Sequence, residues 1–276
     1  MGRVKHEKPR GILNVRADEA KRGVARYWPA PDLAPFIEHF WIVRWSLTSP
    51  QVAETVPHPS VHMALETTGR AEILGVMDRK FSRTIEGRGR VVGTKFRPGG
   101  FRTFFNRPVS DLSNTSKPVE DVFGRAARHL HRDVMASDDD LEGIAVIESF
   151  LRTREPKADA SMTLAQSIAA RIAEDRGITR VEQVVSDFGT NLRTLQRIFK
   201  DYVGVSPKWI IQRYRLLEAA ERMAEGKKVV WVDLALDLGY SDQAHFIRDF
   251  RRFIGRTPAE YAKSLGGWLE GATPGK

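Results

Sequence analysis

The sequence predicts an α+β protein with a mostly β N-terminal region, a helical connector, and an all-α C-terminal region of seven helices containing two helix-turn-helix units. Three observations predict it. The last third carries apolar residues at helical spacing between explicit start and stop signals. A 13-residue segment in that third recurs 51 residues later. The first half instead shows short alternating stretches broken by glycine and proline.

The C-terminal helices can be set out in order. Leu164, Ile168 and Ile172 share one helix face, and Val181, Val184, Val185 and Phe188 share another before Gly189 stops the run. Asn191 can cap a third helix through Ile198 and Phe199. Ser206 before Pro207 is a cap followed by a first-turn proline, opening a long helix to about Met223. Val230 to Leu238 ends at Gly239, and Ser241 starts the next helix. Thr257 with Glu260 three residues later forms a capping box for the last.

The repeat lays LQRIFKDYVGVSP (195–207) on FIRDFRRFIGRTP (246–258). Arg197/Arg248, Phe199/Phe250, Gly204/Gly255 and Pro207/Pro258 are identical, and five further pairs are conservative. Each copy follows a short apolar helix and a glycine, the order helix, tight turn, helix. Gly189 and Gly239 are 50 apart while the later positions are 51 apart, so the second turn is expected to be one residue longer.

At 276 residues the chain is long enough for two cores, and 41% hydrophobic with 29% charged residues is the balance of a folded, non-membrane protein. No apolar run approaches the ~20 residues of a membrane span, and the start, MGRVKHEKPRG, lacks the apolar stretch of a secretion signal, so the expected location is the cytoplasm. The absence of cysteine excludes disulfides, thiolate metal sites and cysteine nucleophiles. The formal charge of +9 and pI near 9.9 point to a polyanionic partner. Residues 1–30 hold eight Lys/Arg against three Asp/Glu, and 160–276 hold 18 against 14, which leaves the middle neutral.

In the N-terminal half, residues 27–45 and the stretches VHMALE and RVVGTKF read as strands, and about Val119 to Thr153 as the helical connector. SDDD at 137–140 reads as a loop and REPKADAS at 154–161 as a linker. The expected organisation is a basic, disordered tail (1–17), an N-terminal domain (18–157), a helical domain (160–265) and a flexible tail (266–276). His58, His62 and Glu66 offer metal-ligand chemistry, but residues four apart in a strand lie ~13 Å apart, so ordinary polar positions are expected. The glycines of RPGGF lack the Lys-Ser/Thr of a phosphate loop and fit a tight turn. Trp28, Phe40, Trp41 and Trp45 fit core better than an effector pocket. No nucleophile, base and orienter set stands out, so no catalytic residue, metal or cofactor is expected.

One helix face collects polar chemistry. Arg193, Gln196, Arg197 and Lys200 can point outward together while Leu195, Ile198 and Phe199 pack inward. Arg and Gln suit guanine and adenine edges, whereas Lys200 suits phosphate.

The stretches NLRTLQRIFKDYVGVSPKWIIQRYRLLEAAERM and LALDLGYSDQAHFIRDFRRFIGRTPAEY resemble, in order and spacing, the two signatures of the DNA-binding domain of AraC/XylS-type regulators, over roughly 160–265. The resemblance implies that the third and sixth helices each enter a major groove, separated by a linker helix over Pro207 to Met223, about 25 Å long. Arg193, Gln196 and Arg197 carry over as base or backbone contacts. Gln243, Ala244, His245, Ile247 and Arg248 match the outward side of the second reading helix, with Phe246, Phe250 and Phe253 as its buried stripe. Ala244 and Ile247 offer apolar contact only, His245 either touches DNA or covers the helix start, and Arg251 and Arg252 meet phosphate or solvent. Asp242 and Asp249 are expected to repel phosphate and weaken the second unit, although Asp242 also suits the helix dipole. On the linker helix, Leu216, Ala220 and Met223 are expected to pack on both units, with Arg213 and Arg222 nearer solvent.

The segment VVGTKFRPGGFRTFF with PVSDLSN and VEDVFG resembles a sensor-type N-terminal domain found on some AraC-type regulators, which implies effector binding or dimerisation. The expected function is sequence-specific transcription regulation. The expected partners are double-stranded promoter DNA, RNA polymerase, a small-molecule effector and a second copy as homodimer, with no membrane and no enzymatic activity. Two rivals remain: an N-terminal enzyme of DNA-repair type, whose alkyl-transfer version the missing cysteines remove, and an architectural binder without sequence preference.

Overall fold

The computed structural model describes residues 22–225 and 230–265, so the two expected tails, 1–17 and 266–276, lie outside the described residues. Strands β1 (Arg22–Tyr27), β2 (Ile37–Ser46), β4 (His62–Glu66), β5 (Ala71–Leu74), β7 (Arg88–Phe96) and β8 (Ser116–Pro118) form one antiparallel sheet in the order β1-β2-β7-β4-β5-β8. Strands β3 (Gln51–Thr55) and β6 (Phe81–Ile85) form a separate antiparallel pair.

Alternation along the strands divides the large sheet into two faces. Phe40 and Ile42 of β2, Val92 and Phe96 of β7, Met63 and Leu65 of β4 and Ile73 of β5 join the main core. Trp45, Ala64 and Val91 form a smaller cluster, with Trp41 and Val43 packed on it. Of the tryptophans singled out in the sequence, Trp45 is buried and Trp28 is exposed.

A short helix α1 (Arg102–Phe105) follows β7, and the connector is broken into pieces: α2 (Val119–Phe123), α3 (Leu130–Met135) and α4 (Asp140–Arg152). The acidic run at 137–140 is partly loop and partly helix start, since the Asp139 carboxylate accepts from the amides of Leu141 and Glu142 and so caps α4. Phe123, Leu130, Val134, Ile144, Ile147 and Leu151 bury these helices against the sheet.

Among the described residues seven α-helices follow, as the spacing predicts: α5 (Ala160–Glu174), α6 (Val181–Asp187), α7 (Leu192–Ile198), α8 (Pro207–Ala224), α9 (Trp231–Asp237), α10 (Gln243–Ile254) and α11 (Pro258–Ser264). The caps at Asn191 and Ser206 and the Thr257/Glu260 box all form. The cap of α10 is Asp242 and not Ser241, whose hydroxyl instead donates to the Asp242 carboxylate at 3.2 Å.

The helices build two cores. Ile168, Ile172, Val184, Leu195, Ile198 and Phe199 make the first, and Leu234, Ala235, Phe246, Phe250 and Phe253 the second. The spacer α8 is shared by halves: Ile210 and Ile211 belong to the first core, whereas Leu216, Ala219, Ala220 and Met223 belong to the second. Leu216, Ala220 and Met223 therefore do not pack on both units as the periodicity suggests. One helix face can serve two neighbours in succession along its length, and spacing alone does not show where the change occurs.

The β region rests on both units. Ser113 donates to the Gly204 carbonyl at 2.6 Å, and Val109 and Leu112 pack nearby in the main core. On the other side Val56 enters the second core and Asp78 pairs with Arg252. Among the described residues no helix is long and apolar enough to cross a membrane.

Candidate nucleic-acid interface

Each reading helix is aimed by a tight turn whose chemistry is repeated. After α6, Gly189 adopts φ +58° and Thr190 donates to the Val185 carbonyl at 3.1 Å; after α9, Gly239 adopts φ +81° and Tyr240 donates to the Ala235 carbonyl at 2.9 Å. A positive φ with a bond spanning six residues is the glycine-terminated helix end that a Cβ would strain. The caps then differ: Asn191 follows Gly189 by two residues and Asp242 follows Gly239 by three, so the second turn is one residue longer, as the repeat predicts.

In the first unit, Arg193, Gln196, Arg197 and Lys200 are all exposed, with Leu195, Ile198 and Phe199 buried beneath them. None of the four side chains has a hydrogen-bond or ion-pair partner among the described residues. Two long cations, an amide and a lysine thus stand free on one face, the chemistry that base edges and phosphates require. Leu192, 45% exposed at the start of the same helix, is a residue that sequence reasoning missed. It offers an apolar surface suited to a thymine methyl.

Lys200 sits in a feature with no sequence signal. Phe199–Val203 forms a π-helical turn closed by a bond from the Gly204 amide to the Phe199 carbonyl at 2.8 Å. The second copy, with the same spacing from Phe246 to Gly255, closes by an ordinary helical bond from Gly255 to Arg251 at 2.8 Å. The wider turn is the one whose Gly204 carbonyl Ser113 engages.

In the second unit, Ala244, Arg248 and Arg251 are exposed and Gln243 and His245 half-buried. Phe246, Phe250 and Phe253 form the buried stripe. Ile247 does not stand outward as the family pattern implies: it packs on the second core, because the apolar side chain gains more from burial than from water. Arg252 is exposed to solvent, as expected, but its guanidinium is paired with Asp78, which competes with phosphate for it.

The two aspartates also have structural duties that the charge reading did not foresee. Asp242 accepts from the His245 amide at 2.7 Å, a bond that holds its carboxyl below the usual carboxylate range. Asp249 accepts from Gln212 at 3.3 Å and lies 3.3 Å from His245 Nε2. The His245 ring meets Tyr240 edge-on at 5.3 Å, and burial beside Asp249 pushes the Tyr240 hydroxyl above its ordinary value.

Arg213 contradicts the expectation of solvent exposure most clearly: it is 3% exposed. Its Nε donates to the Pro57 carbonyl at 2.6 Å, Nη2 lies 3.0 Å from His58 Nδ1, and the guanidinium lies over the Tyr214 ring. Arg222, by contrast, is half-exposed and pairs with Glu218 and Asp237. His58 and His62 also need a correction, because only His62 lies in β4 and the chain turns between them. The strand spacing that separates His62 from Glu66 does not apply, and the two rings sit 6.3 Å apart. Burial lowers the pKa of both, helped at His58 by Arg213 and Lys95 and at His62 by Lys95 and His39. Among the described residues they belong to no metal-binding group.

Comparison with known proteins follows the same division. A family described as "Helix-turn-helix domain" matches residues 184–264, which contain both reading helices. The probable transcription factor PqrA of Proteus vulgaris is 33% identical over 97 residues, covering 35% of this chain and 78% of PqrA. The chain belongs to the AraC/XylS-type family of transcription regulators. As a member of the AraC/XylS-type family it is a sequence-specific DNA-binding transcription regulator. Two longer relatives are the virulence regulon transcriptional activator VirF of Yersinia enterocolitica, 34% identical over 29% of this chain, and the transcriptional activator RhaS of Escherichia coli O139:H28, 33% identical over 32%. The matches span only 30% of VirF and 32% of RhaS. Residues 25–118 match a domain of unknown function, DUF6597. ToxT of Vibrio cholerae aligns over 83% of this chain and 98% of its own at 14% identity and a TM-score of 0.38.

Proposed function

We propose that the chain recognises double-stranded promoter DNA through α7 and α10 in successive major grooves, with α8 as the spacer. The observation that carries this reading is the free polar face of α7 and the turn that follows it: the side chains of Arg193, Gln196, Arg197 and Lys200 are exposed together with no partner among the described residues. On it, Gln196 and Arg197 read base edges while Lys200 meets phosphate. In the second unit Gln243 and Arg248 read bases, Ala244 adds apolar contact, Arg251 meets phosphate, and His245 lies at the edge of the contact. Ile247 supports the helix from below, a more modest role than the family pattern gave it.

Residues 160–265 form the DNA-binding domain and 18–157 a domain that senses a small effector or assembles a homodimer, with 154–161 between them. The extensive seating of the β region on both units supports a regulatory role for it. RNA polymerase is the partner through which a promoter-bound regulator acts. The chain performs no catalysis in this reading and works in the cytoplasm.

The test is alanine substitution on α7. Gln196→Ala and Arg197→Ala each cost about 1 to 3 kcal/mol on the cognate site and relax preference at one base position. Lys200→Ala weakens cognate and random DNA alike and lowers the slope of log affinity against log salt by about one. Equal losses on cognate and random DNA for Gln196→Ala and Arg197→Ala contradict the reading.

A further inference from the structure

The internal repeat supplies a control for what each copy needs merely to fold. At the position where the first reading helix buries Ile198 in its core, the second carries Asp249. An apolar residue suffices there for packing, as the first copy demonstrates, so the carboxylate answers another demand. It is held by Gln212 of α8 and lies beside His245 on the exposed side of α10. The next residue of α8 is Arg213, buried and gripped from outside the helical region by Pro57 and His58 in the loop between β3 and β4.

We infer that Gln212 and Arg213 are positioning residues which tie the β region to the aim of the second reading helix: they are consecutive on α8, Pro57 and His58 hold one side chain, the other holds Asp249 beside His245, and the helix backbone joins them. The inference rests on the proposal that α10 meets bases. Arg213 has no counterpart task on the first unit: α7 presents Ile198 to its own core, and the β region touches that unit at the Gly204 turn, at Tyr202 and at α5. A buried guanidinium must keep its acceptors, because an unpaired buried cation is strongly unfavourable. The Pro57–His58 loop is therefore bound to follow α8, and α10 to follow Gln212. Any event in the β region that moves the 56–58 loop changes the second reading helix and leaves the first largely alone, so base preference at one half-site becomes adjustable.

The experiment uses the full chain and an operator obtained by in vitro selection from random duplexes, with base substitutions in each half-site. Affinities are compared for wild type, His58→Ala, His58→Asn, Arg213→Lys and His58→Ala in a Gln212→Ala background, each checked for native circular dichroism. His58→Ala is expected to reduce base discrimination at the half-site met by α10 about five- to tenfold, a common size for coupling between sites, with less than about twofold change at the other. His58→Asn, whose amide oxygen can replace Nδ1 as acceptor, restores it, and Arg213→Lys, which keeps the charge but loses the fork, does not. In the Gln212→Ala background the His58→Ala effect falls below about twofold, since the link is already cut. If Arg213→Lys fails to fold, the two His58 variants decide. Equal losses at both half-sites, or additive effects of His58→Ala and Gln212→Ala, overturn the coupling. Arg248→Ala separates the two levels: if it leaves discrimination at the second half-site intact, the reading of α10 fails and this inference with it. If Arg248→Ala acts there and His58→Ala does not, the coupling alone is wrong.

Discussion

Leu217→Pro cuts the spacer between its two attachments. Upstream, Ile210 and Ile211 anchor α8 in the first core; downstream, Ala219, Ala220 and Met223 anchor it in the second. Residue 217 lies inside an 18-residue helix, where proline removes the bond to the carbonyl of residue 213 and crowds that carbonyl, costing about 3 kcal/mol or more. At about 1.4 kcal/mol per tenfold, that strain corresponds to a loss of roughly 100-fold or more in specific affinity if the bound geometry must absorb it. Leu217→Ala, which trims a half-buried side chain and leaves the backbone intact, costs about 1 to 2 kcal/mol. Fluorescence anisotropy on operator and scrambled duplexes, with circular dichroism to verify folding, separates the cases. Specific binding collapses in the proline variant while salt-sensitive nonspecific binding suffers less, because phosphate contacts do not require the spacing. A folded proline variant that protects both half-sites normally would refute the spacer argument and show that the units dock independently.

Two further outcomes follow from the same contacts. A fragment from Ala158 to Leu265 unfolds cooperatively and binds the operator, with first-half-site recognition retained and second-half-site discrimination weakened by the loss of the Arg213 grip; a folded fragment without specific affinity contradicts the division of labour. Stability depends on pH through His58 and His62, whose folded pKa values are lowered mainly by burial, that of His62 to about 3; Arg213 and Lys95 lower His58 further, and Lys95 and His39 lower His62 further. Because the unfolded chain takes up the proton first, the contribution is complete above about pH 7.5 and is lost as pH falls below 6.5, at up to about 1.4 kcal/mol per pH unit for each histidine. Urea unfolding between pH 8 and 5 measures it; His62→Asn flattens the slope, and an unchanged slope contradicts the assignment.

What the sequence made legible was what short range decides. Asn191, Ser206 and Thr257 cap helices through amides three residues away, so their role is visible in a window of four. The 51-residue repeat located both reading helices and the longer second turn because repetition needs no knowledge of the rest of the fold.

Long-range packing was not legible. Arg213 looked like a solvent residue because periodicity describes a helix against its nearest neighbours, and its acceptors at Pro57 and His58 are about 155 residues away. Ile247 was assigned outward from a pattern, and the second core claimed it. Leu192 was not singled out at all, since an apolar residue in the first turn of a helix gives no sign of the exposure the fold leaves it. The π turn at Phe199–Val203 left no trace in the residues, since the second copy carries similar ones and closes regularly.

The central claim, that two reading helices contact bases about one DNA turn apart, is tested most directly by selecting bound duplexes from a random pool with the full chain and mapping the selected site by missing-base interference. The account predicts two short base-dependent segments centred about 10 to 10.5 base pairs apart, with sensitivity in one lost in Arg197→Ala and in the other lost in Arg248→Ala. Selection of no common sequence, or a single base-dependent segment unaffected by either substitution, would contradict it.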